Sequence, residues 1–175
     1  MLTSDFTAEF AKYRSLGEKA MAQVPDEALN RVVAPEGNSI AMLVRHIGGN
    51  LTSRFTDFLT TDGEKPTRDR DGEFSDGSFT RTHVDDAWAS GWGVLENTLG
   101  TLSDADLETG VSIRGEPITV HQALVRSLAH IAMHVGQIIL LARILASNEW
   151  QTLSIPKGQS KQFNQSLAQE KAPAR

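Results

Sequence analysis

Two histidines lie four residues apart in the segment His130-Ile-Ala-Met-His134. In a helix, this spacing places both imidazoles on the same face, one turn apart. Such a pair can bind zinc, nickel, copper or iron(II). It is equally typical of two partly buried histidines that hydrogen-bond to neighbouring carbonyls. No glutamate directly follows His130, so this is not the zinc-protease helix with its built-in base.

A third histidine, His46, lies on the flank of a predicted helix beside its apolar stripe. Asn50, Ser53 and Asp57 continue the same polar line along the helix. A polar line next to a buried stripe indicates a side that faces a neighbouring helix, although ordinary solvent exposure gives the same pattern. His46 is therefore the third candidate metal ligand.

The remaining two histidines are not expected at the site. His83 stands beside Asp85 and Asp86 at a predicted helix start, where solvation is the simpler explanation. His121 falls in the first turn of the last predicted helix and points away from His130. We therefore leave His83 and His121 out of the candidate site.

The chain contains no cysteine. This absence excludes disulfides, thiolate nucleophiles and zinc sites built on cysteine. Any metal must be bound by His, Asp or Glu, and any covalent catalysis must use Ser, Thr, Lys or a carboxylate.

Apolar residues at helical spacing predict four amphipathic helices. Asn38-Ser39 is a predicted start of the second helix, and Thr119 with Gln122 forms a capping box before the last. Two β-branched runs around Arg-Gly-Glu-Pro, within residues 111–120, predict a small hairpin or an extended turn. The predicted fold is an all-α four-helix bundle with that hairpin or turn before the last helix. The core of such a bundle is a natural place for metal ligands.

Two features between and within the helices are unusual. Residues 60–80 are polar and rich in glycine and proline, and a loop of this length in a compact domain is often functional. Gly48 and Gly49 interrupt the second helix, each at a cost of roughly 1 kcal/mol. Close approach of a neighbouring backbone would compensate for that cost.

The length of 175 residues suits one domain, and 39% hydrophobic with 22% charged residues is typical of a globular chain. We expect the bundle to span residues 1–150 and residues 151–175 to form a C-terminal tail. The net charge of −5 and the scattered basic residues disfavour nucleic-acid binding. The longest mainly apolar run, Ile138 to Leu145, contains Arg143 and is too short to cross a bilayer. Without a signal peptide, a cytoplasmic protein with no membrane partner is expected.

Three stretches of the chain resemble one known family. They are Asn38-Ser-Ile-Ala-Met-Leu-Val-Arg-His-Ile-Gly-Gly-Asn-Leu-Thr-Ser-Arg-Phe-Thr-Asp-Phe-Leu59, Asp62-Gly-Glu-Lys-Pro66 with Arg68, Arg70 and Phe74, and Ser127-Leu-Ala-His-Ile-Ala-Met-His-Val-Gly-Gln137. The chain resembles the DinB-like (YfiT-like) superfamily of metalloenzymes, and in particular an uncharacterised DinB-like branch. The match covers most of residues 5–150 and rests on an upstream His in an Asn-Ser-x-x-x-Leu-Val-x-His context together with the later HxxxH.

The resemblance implies a four-helix bundle that is often a homodimer. It also implies one divalent metal ion, zinc or nickel, on His46, His130 and His134, with an open position for water or substrate. Related groups include thiol S-transferases and isomerases that use low-molecular-weight thiols such as mycothiol or bacillithiol. The family's name concerns induction by DNA damage and implies no DNA chemistry.

Three histidines with an open position are typical of catalytic rather than structural zinc. The expected function is activation of water or of a small-molecule thiol, as a hydrolase or a thiol S-transferase acting on a small-molecule substrate. Asn50 and Gln137 are candidates for orienting ligands, and Arg54 and Arg114 for binding an anionic substrate group. Asp57 and Glu73 are candidate bases by residue type alone.

Two other functions fit the same sequence. The chain could be a non-catalytic bundle that binds a metal or small ligand in a stress response. It could also be a helical bundle without a metal that acts through protein–protein contacts. Elemental analysis of protein purified without a histidine tag separates the metal-binding functions from the last one.

Overall fold

A computed structural model describes residues 2–146 and 150–170 of the chain. Within these residues the fold is mostly helical, with six helices and one small two-stranded sheet. The elements are α1 (Leu2–Met21), α2 (Ile40–Phe55), α3 (Arg70–Glu73), α4 (Arg81–Thr101), β1 (Gly110–Ile113), β2 (Glu116–Thr119), α5 (Val120–Leu145) and α6 (Ser160–Glu170). The prediction of an all-α fold is therefore only partly right, because the hairpin forms a true β-sheet.

The four long helices pack side by side as a helical bundle. Helix α2 lies chiefly against α4, and α1 lies chiefly against α5. Further contacts join α2 to α5 and α1 to α4. Fully buried side chains fill the space between them, among them Phe10, Ile47, Trp92, Ile131 and Ile138. The packing of α2 on α5 brings His46 toward the histidine pair.

Side-chain caps set the starts of three of these helices. The Ser39 hydroxyl accepts a hydrogen bond from the Met42 backbone N–H at 3.2 Å, and Thr80 caps α4 in the same way. Thr119 and Gln122 form the capping box that the sequence predicts, with bonds of 3.2 and 3.0 Å. These caps satisfy backbone donors that would otherwise have no partner.

The hairpin is tied to the long polar loop. Strands β1 and β2 pair antiparallel through a two-residue turn in which Arg114 and Gly115 have φ of 57° and 76°. Two successive positive φ values are those of a type I′ turn. The Asp62 carboxylate accepts hydrogen bonds from the backbone N–H groups of Glu64, Gly115 and Arg114 and from the Ser112 hydroxyl. These bonds hold the pKa of Asp62 well below its usual range.

The segment after α5 contacts the bundle at its beginning. Trp150 and Leu153 are partly buried against the core, and Gln151 exchanges two hydrogen bonds with Gln23. Helix α6 follows, with Phe163 41% exposed. Residues 171–175 of the predicted tail lie outside the described residues.

Helix α5 differs from the sequence estimate in one respect. Its 26 residues make it long and apolar enough, by length and composition alone, to cross a membrane. Core helices pass the same test, and a single such helix is weak evidence for a membrane span. Leu124, Ile131 and Ile138 of α5 are fully buried in the bundle. One face of α5 is therefore part of the core, and its opposite face is exposed.

Two glycines set how closely α2 approaches its neighbours. A Cβ at Gly48 would lie 2.3 Å from the backbone oxygen of Ala87 on α4, and Gly91 of α4 lies directly against Gly48. A Cβ at Gly49 would lie 2.1 Å from the Glu73 carboxylate. The close approach expected at these glycines is therefore present, to a backbone at Gly48 and to a side chain at Gly49.

We predict that Gly48→Ala destabilises the protein by about 1–3 kcal/mol, because α2 and α4 must move apart to admit the new methyl group. Gly100→Ala on α4 is the matched control, since nothing lies within 4 Å of its Cβ position. The control should be neutral or stabilising by up to about 1 kcal/mol. Urea unfolding of both variants measures the difference, and equal stability of the two would contradict the packing described here.

Candidate metal centre

The three candidate histidines meet between α2 and α5. His46 Nε2 lies 3.0 Å from His130 Nε2, and His134 Nε2 lies 3.2 Å from the same atom. One ring nitrogen from each of the three lies within 4.8 Å of the other two. Ring nitrogens from two separate helices therefore converge on one point.

Burial and crowding favour the neutral form of His130 and His134. His46 and His134 are only 4% and 8% exposed. Burial, together with the nearby His134 and His46, lowers the pKa of His130 to about 3. Burial also lowers the pKa of His134, against the opposing effect of its hydrogen bond to Gln137. Neutral imidazole is the form that binds metals, so the environment favours the ligating state.

Glu73 orients His46. Its Oε2 lies 2.8 Å from His46 Nδ1, and its two oxygens accept hydrogen bonds from Arg68 at 2.8 and 2.9 Å. Burial raises the pKa of Glu73, but the hydrogen bonds from His46 and Arg68 outweigh that effect and hold it below its ordinary value. An ionised carboxylate only accepts hydrogen bonds, so His46 Nδ1 must carry the proton. The lone pair of His46 is thereby left on Nε2, which faces the other histidines.

Gln137 does the same for His134. Its side-chain oxygen lies 2.7 Å from His134 Nδ1 on the same helix. Because an amide oxygen accepts hydrogen bonds, His134 Nδ1 is the donor and Nε2 carries the lone pair. Partners of this kind, which fix the tautomer of a ligating histidine, are typical of metal sites.

The donor set fits a divalent metal ion. Three nitrogens bound at 2.0–2.1 Å in a tetrahedron lie about 3.3 Å apart. Two of the three Nε2 spacings here, 3.0 and 3.2 Å, are close to that value, and the whole set lies within 4.8 Å. The Nε2 atoms of His46 and His134 both lie against His130 Nε2. A single proton on His130 Nε2 can be donated to only one of them, so the other contact is left without a hydrogen bond. His130 Nδ1 and the nearby Ser127 hydroxyl are buried with no hydrogen-bond partner among the described residues. A metal ion on Nε2 would leave Nδ1 protonated, so Nδ1 and the Ser127 hydroxyl are partners for a water or a ligand rather than metal ligands.

A cavity of about 610 Å³ opens onto the histidines. Its size is in the usual range for a site that binds a small molecule. The lining combines aromatic and aliphatic side chains with amides and arginines. The lining residues are Asn38, His46, Asn50, Arg54, Phe55, Phe58, Arg68, Arg70, Phe74, Ile113, Arg114, Ala123, Arg126, Ser127, His130, Met133 and His134.

A comparison with protein families gives one match over most of the chain. The family described as Protein of unknown function (DUF1572) matches residues 2–159. The chain belongs to the DUF1572 family. No curated protein matches the chain. The matched region of this DUF1572 protein contains α1 to α5 and every residue that lines the cavity.

The structure places four other predicted site residues at or beside the cavity of this DUF1572 protein. Asn50 is buried at 8% exposure and lines it, and Arg54 and Arg114 line it as well. Gln137 contacts His134 from the side away from the other histidines. Arg54 and Arg114 both bind the Glu64 carboxylate, at 2.9 and 3.0 Å.

Asp57 lies elsewhere. Its side chain is exposed, its φ is 47°, and it is absent from the cavity lining. Its backbone oxygen accepts hydrogen bonds from Thr60 and Thr61 at the end of α2. The polar line that begins at His46 therefore leaves the site before it reaches Asp57, because the helix ends at Phe55.

Sequence reasoning gave no role to three residues that shape this site. Phe74 lies against the His46 ring, with the ring centroids 4.6 Å apart, and Arg68 binds Glu73. Ser127 precedes His130 by three residues and lines the cavity. The sequence signals for this loop were its length and polarity and its resemblance to the family at Arg68 and Phe74. Gly49 is a further signal, because its missing side chain makes room for Glu73.

We predict that the metal-free protein loses stability as the pH falls from about 6.5 toward 3. In this range the unfolded chain protonates His130 at its ordinary pKa of 6.5, whereas the folded chain, with a pKa of about 3, does not. The stability due to neutral His130 is thus complete above 6.5 and is lost on acidification, by up to about 1.4 kcal/mol per pH unit.

Urea unfolding in EDTA at several pH values measures this effect. His130→Gln should show a shallower decline than the wild-type chain. His83→Gln is the control, because His83 is exposed, and it should follow the wild-type curve. Parallel curves for the wild type and His130→Gln would refute the assignment of the decline to His130.

Proposed function

We propose that this protein is a divalent-metal-dependent enzyme of the DinB-like superfamily. His46, His130 and His134 would hold one ion, zinc or nickel, in a site open to the cavity. The observation that supports this proposal is the convergence of three imidazole nitrogens, two of them with their tautomer fixed from behind by Glu73 and Gln137. The helical bundle and the position of the histidines on α2 and α5 support membership of that superfamily.

The residues of the chain would prepare the site in two ways. Glu73 and Gln137 hold the rings of His46 and His134 in a ligating orientation, so little ordering is needed on binding. Phe74 covers one face of His46 and limits its contact with water. When bound, a divalent ion supplies an electrophilic centre that lowers the pKa of a water or thiol at its open position.

The cavity lining favours thiol S-transfer over hydrolysis. No aspartate or glutamate lines the described cavity, and Glu73 is occupied by His46 and Arg68 with a lowered pKa, which makes it a poor base. A thiol ionises near pH 8.5 and needs less help from a base than water does. Because the chain has no cysteine, the thiol would be a low-molecular-weight co-substrate. The substrate would be a small molecule, and we propose a cytoplasmic location without nucleic-acid or membrane partners.

Metal binding is the first test of this proposal. We expect protein purified without a histidine tag to bind one zinc or nickel ion, and His46→Ala, His130→Ala and His134→Ala each to abolish it. Glu73→Gln should weaken binding about 10–100-fold, since it loses the carboxylate that orients His46. Asp76→Asn is the matched control, because it removes one negative charge from the same loop at an exposed position outside the cavity lining. Calorimetric titration and elemental analysis measure these effects.

Turnover is the second part of the same test. The metal-loaded protein is assayed with bacillithiol, mycothiol and glutathione against an electrophile, and with a panel of esters. We expect thiol-dependent turnover that His134→Ala loses and His83→Ala keeps. Tight metal binding without turnover across the whole panel would instead indicate a non-catalytic metal-binding module. Failure to take up any ion would leave a bundle that acts through protein contacts.

We also propose that the protein is a homodimer that pairs through α5. One side of this helix carries a continuous exposed apolar stripe, which we call the α5 outer stripe. It consists of Val125, Ala129, Met133, Gly136, Leu140 and Ile144. The stripe is about 29 Å long, and a patch of this extent on one helix is typical of an association surface. Met133 belongs both to the stripe and to the cavity lining, so a second copy would cover the edge of the cavity.

We expect the wild-type chain to sediment with the mass of two chains and Leu140→Glu with the mass of one, because a charge at the centre of a symmetric apolar interface is placed there twice. Val32→Glu is the matched control, since Val32 is exposed at 40% but lies outside the stripe. A wild-type monomer, or a dimer in both variants, would contradict pairing through α5.

A further inference from the structure

The cavity beside the histidines is strongly cationic in an acidic protein. Among the residues that the structure describes, five arginines and no carboxylate line it, although the chain as a whole carries a net charge of −5. The arginines are Arg54, Arg68, Arg70, Arg114 and Arg126. Such a concentration of one charge against the sign of the whole molecule indicates a site for a ligand of the opposite charge.

Nearby carboxylates compensate only part of this charge. Glu64 pairs with Arg54 and Arg114 and lies 3.7 Å from Arg68. Glu73 pairs with Arg68 and His46. Two carboxylates therefore serve three arginines. Within residues 2–146 and 150–170, neither Arg70 nor Arg126 has an ion pair with any carboxylate.

The two uncompensated arginines flank the histidines. Arg126 precedes His130 by four residues on α5, so both lie on the same helix face about 6 Å apart along the axis. Arg70 begins α3, and its guanidinium lies 5.4 Å from the centre of the Phe74 ring, which itself contacts His46. A group held by Arg126 and Arg70 would thus lie next to the histidine site.

The lining also contains apolar surface. Phe55, Phe58, Ile113 and Met133 contribute carbon surface to the same cavity. A free inorganic anion would leave this surface uncovered. A molecule with an acidic group at one end and an apolar body would use both parts of the lining.

We infer that the cavity binds a small organic anion, a carboxylate or phosphate ester with an apolar body, through Arg126 and Arg70. Guanidinium groups bind such planar or tetrahedral oxyanions through paired hydrogen bonds. This inference names the substrate class of the proposed enzyme and rests on that function only for the reacting group, which would face the histidines. Arg54 and Arg114, the arginines that the sequence suggested for this role, are already bound to Glu64.

Binding of matched probes to the metal-free full-length chain tests the inference. Phenylacetate is a carboxylate, and phenylacetamide is its neutral analogue with the same apolar body. Phenyl phosphate represents the phosphate esters. We expect at least one of the two acids to bind at least about tenfold tighter than the amide. Arg126→Gln should weaken that acid at least about tenfold, and the further change Arg70→Gln should weaken it more. NMR titration measures the affinities.

Arg143→Gln is the matched control, because Arg143 is an exposed arginine on the same helix that does not line the cavity. It should bind the acids as the wild type does, and circular dichroism should show that all variants are folded. The inference is overturned if neither acid binds, if acid and amide bind equally, or if Arg126→Gln matches Arg143→Gln.

The metal-free condition separates this inference from the proposed function. If the chain takes up no metal but binds the acids selectively, the proposed metal-dependent activity is contradicted and the anion site is supported. If the chain binds one metal ion but shows no preference for the acids, the metal site is supported and the anion site is contradicted.

Discussion

The hydrogen bond between Glu73 and His46 is the interaction on which the site depends. Without it, His46 has no fixed tautomer, and its free nitrogen need not face α5. The bond places an ionised carboxylate in a position that is 93% buried, where an unpaired charge is strongly unfavourable. Two hydrogen bonds from Arg68 offset that cost. The chain thus uses a buried ion pair to orient one imidazole ring.

The geometry of α2 follows from the same constraint. At Gly48 the helix must admit the backbone of α4, and at the next residue it must admit the Glu73 side chain. Consecutive residues of a helix point about 100° apart, so two neighbouring glycines open two different sides of α2. The contact with α4 and the contact with Glu73 therefore both lie within three residues of His46. These two contacts explain why the helix carries two glycines in its middle despite their cost.

How much of this could be predicted from sequence depends on the range of the interactions. The three histidines, the capping box at Thr119 and the position of the hairpin were predictable because each rests on local spacing or on resemblance. The pairing of Glu73 with His46 was not, since it spans 27 residues and depends on how the loop folds back. Asp57 does not lie beside the site as expected, because α2 ends at Phe55 and the helical spacing no longer applies after it. The predicted hairpin or turn proved to be a hairpin with four residue pairs, so the fold contains a small sheet and is not strictly all-α.

The charge of the arginines in the cavity also affects the histidines. Arg68 and Arg54 add to the lowering of the His130 pKa, so the positive charge that favours an anion also helps to keep the histidine unprotonated. The same charge would oppose a metal cation, and Glu73 and Glu64 reduce that opposition on the side nearest the rings. Among the described residues, Arg70 and Arg126 are the lining arginines without an ion pair, and they lie beside the histidines. If both proposals hold, the cationic rim would attract an acid while the ring nitrogens between α2 and α5 stay available to a divalent ion.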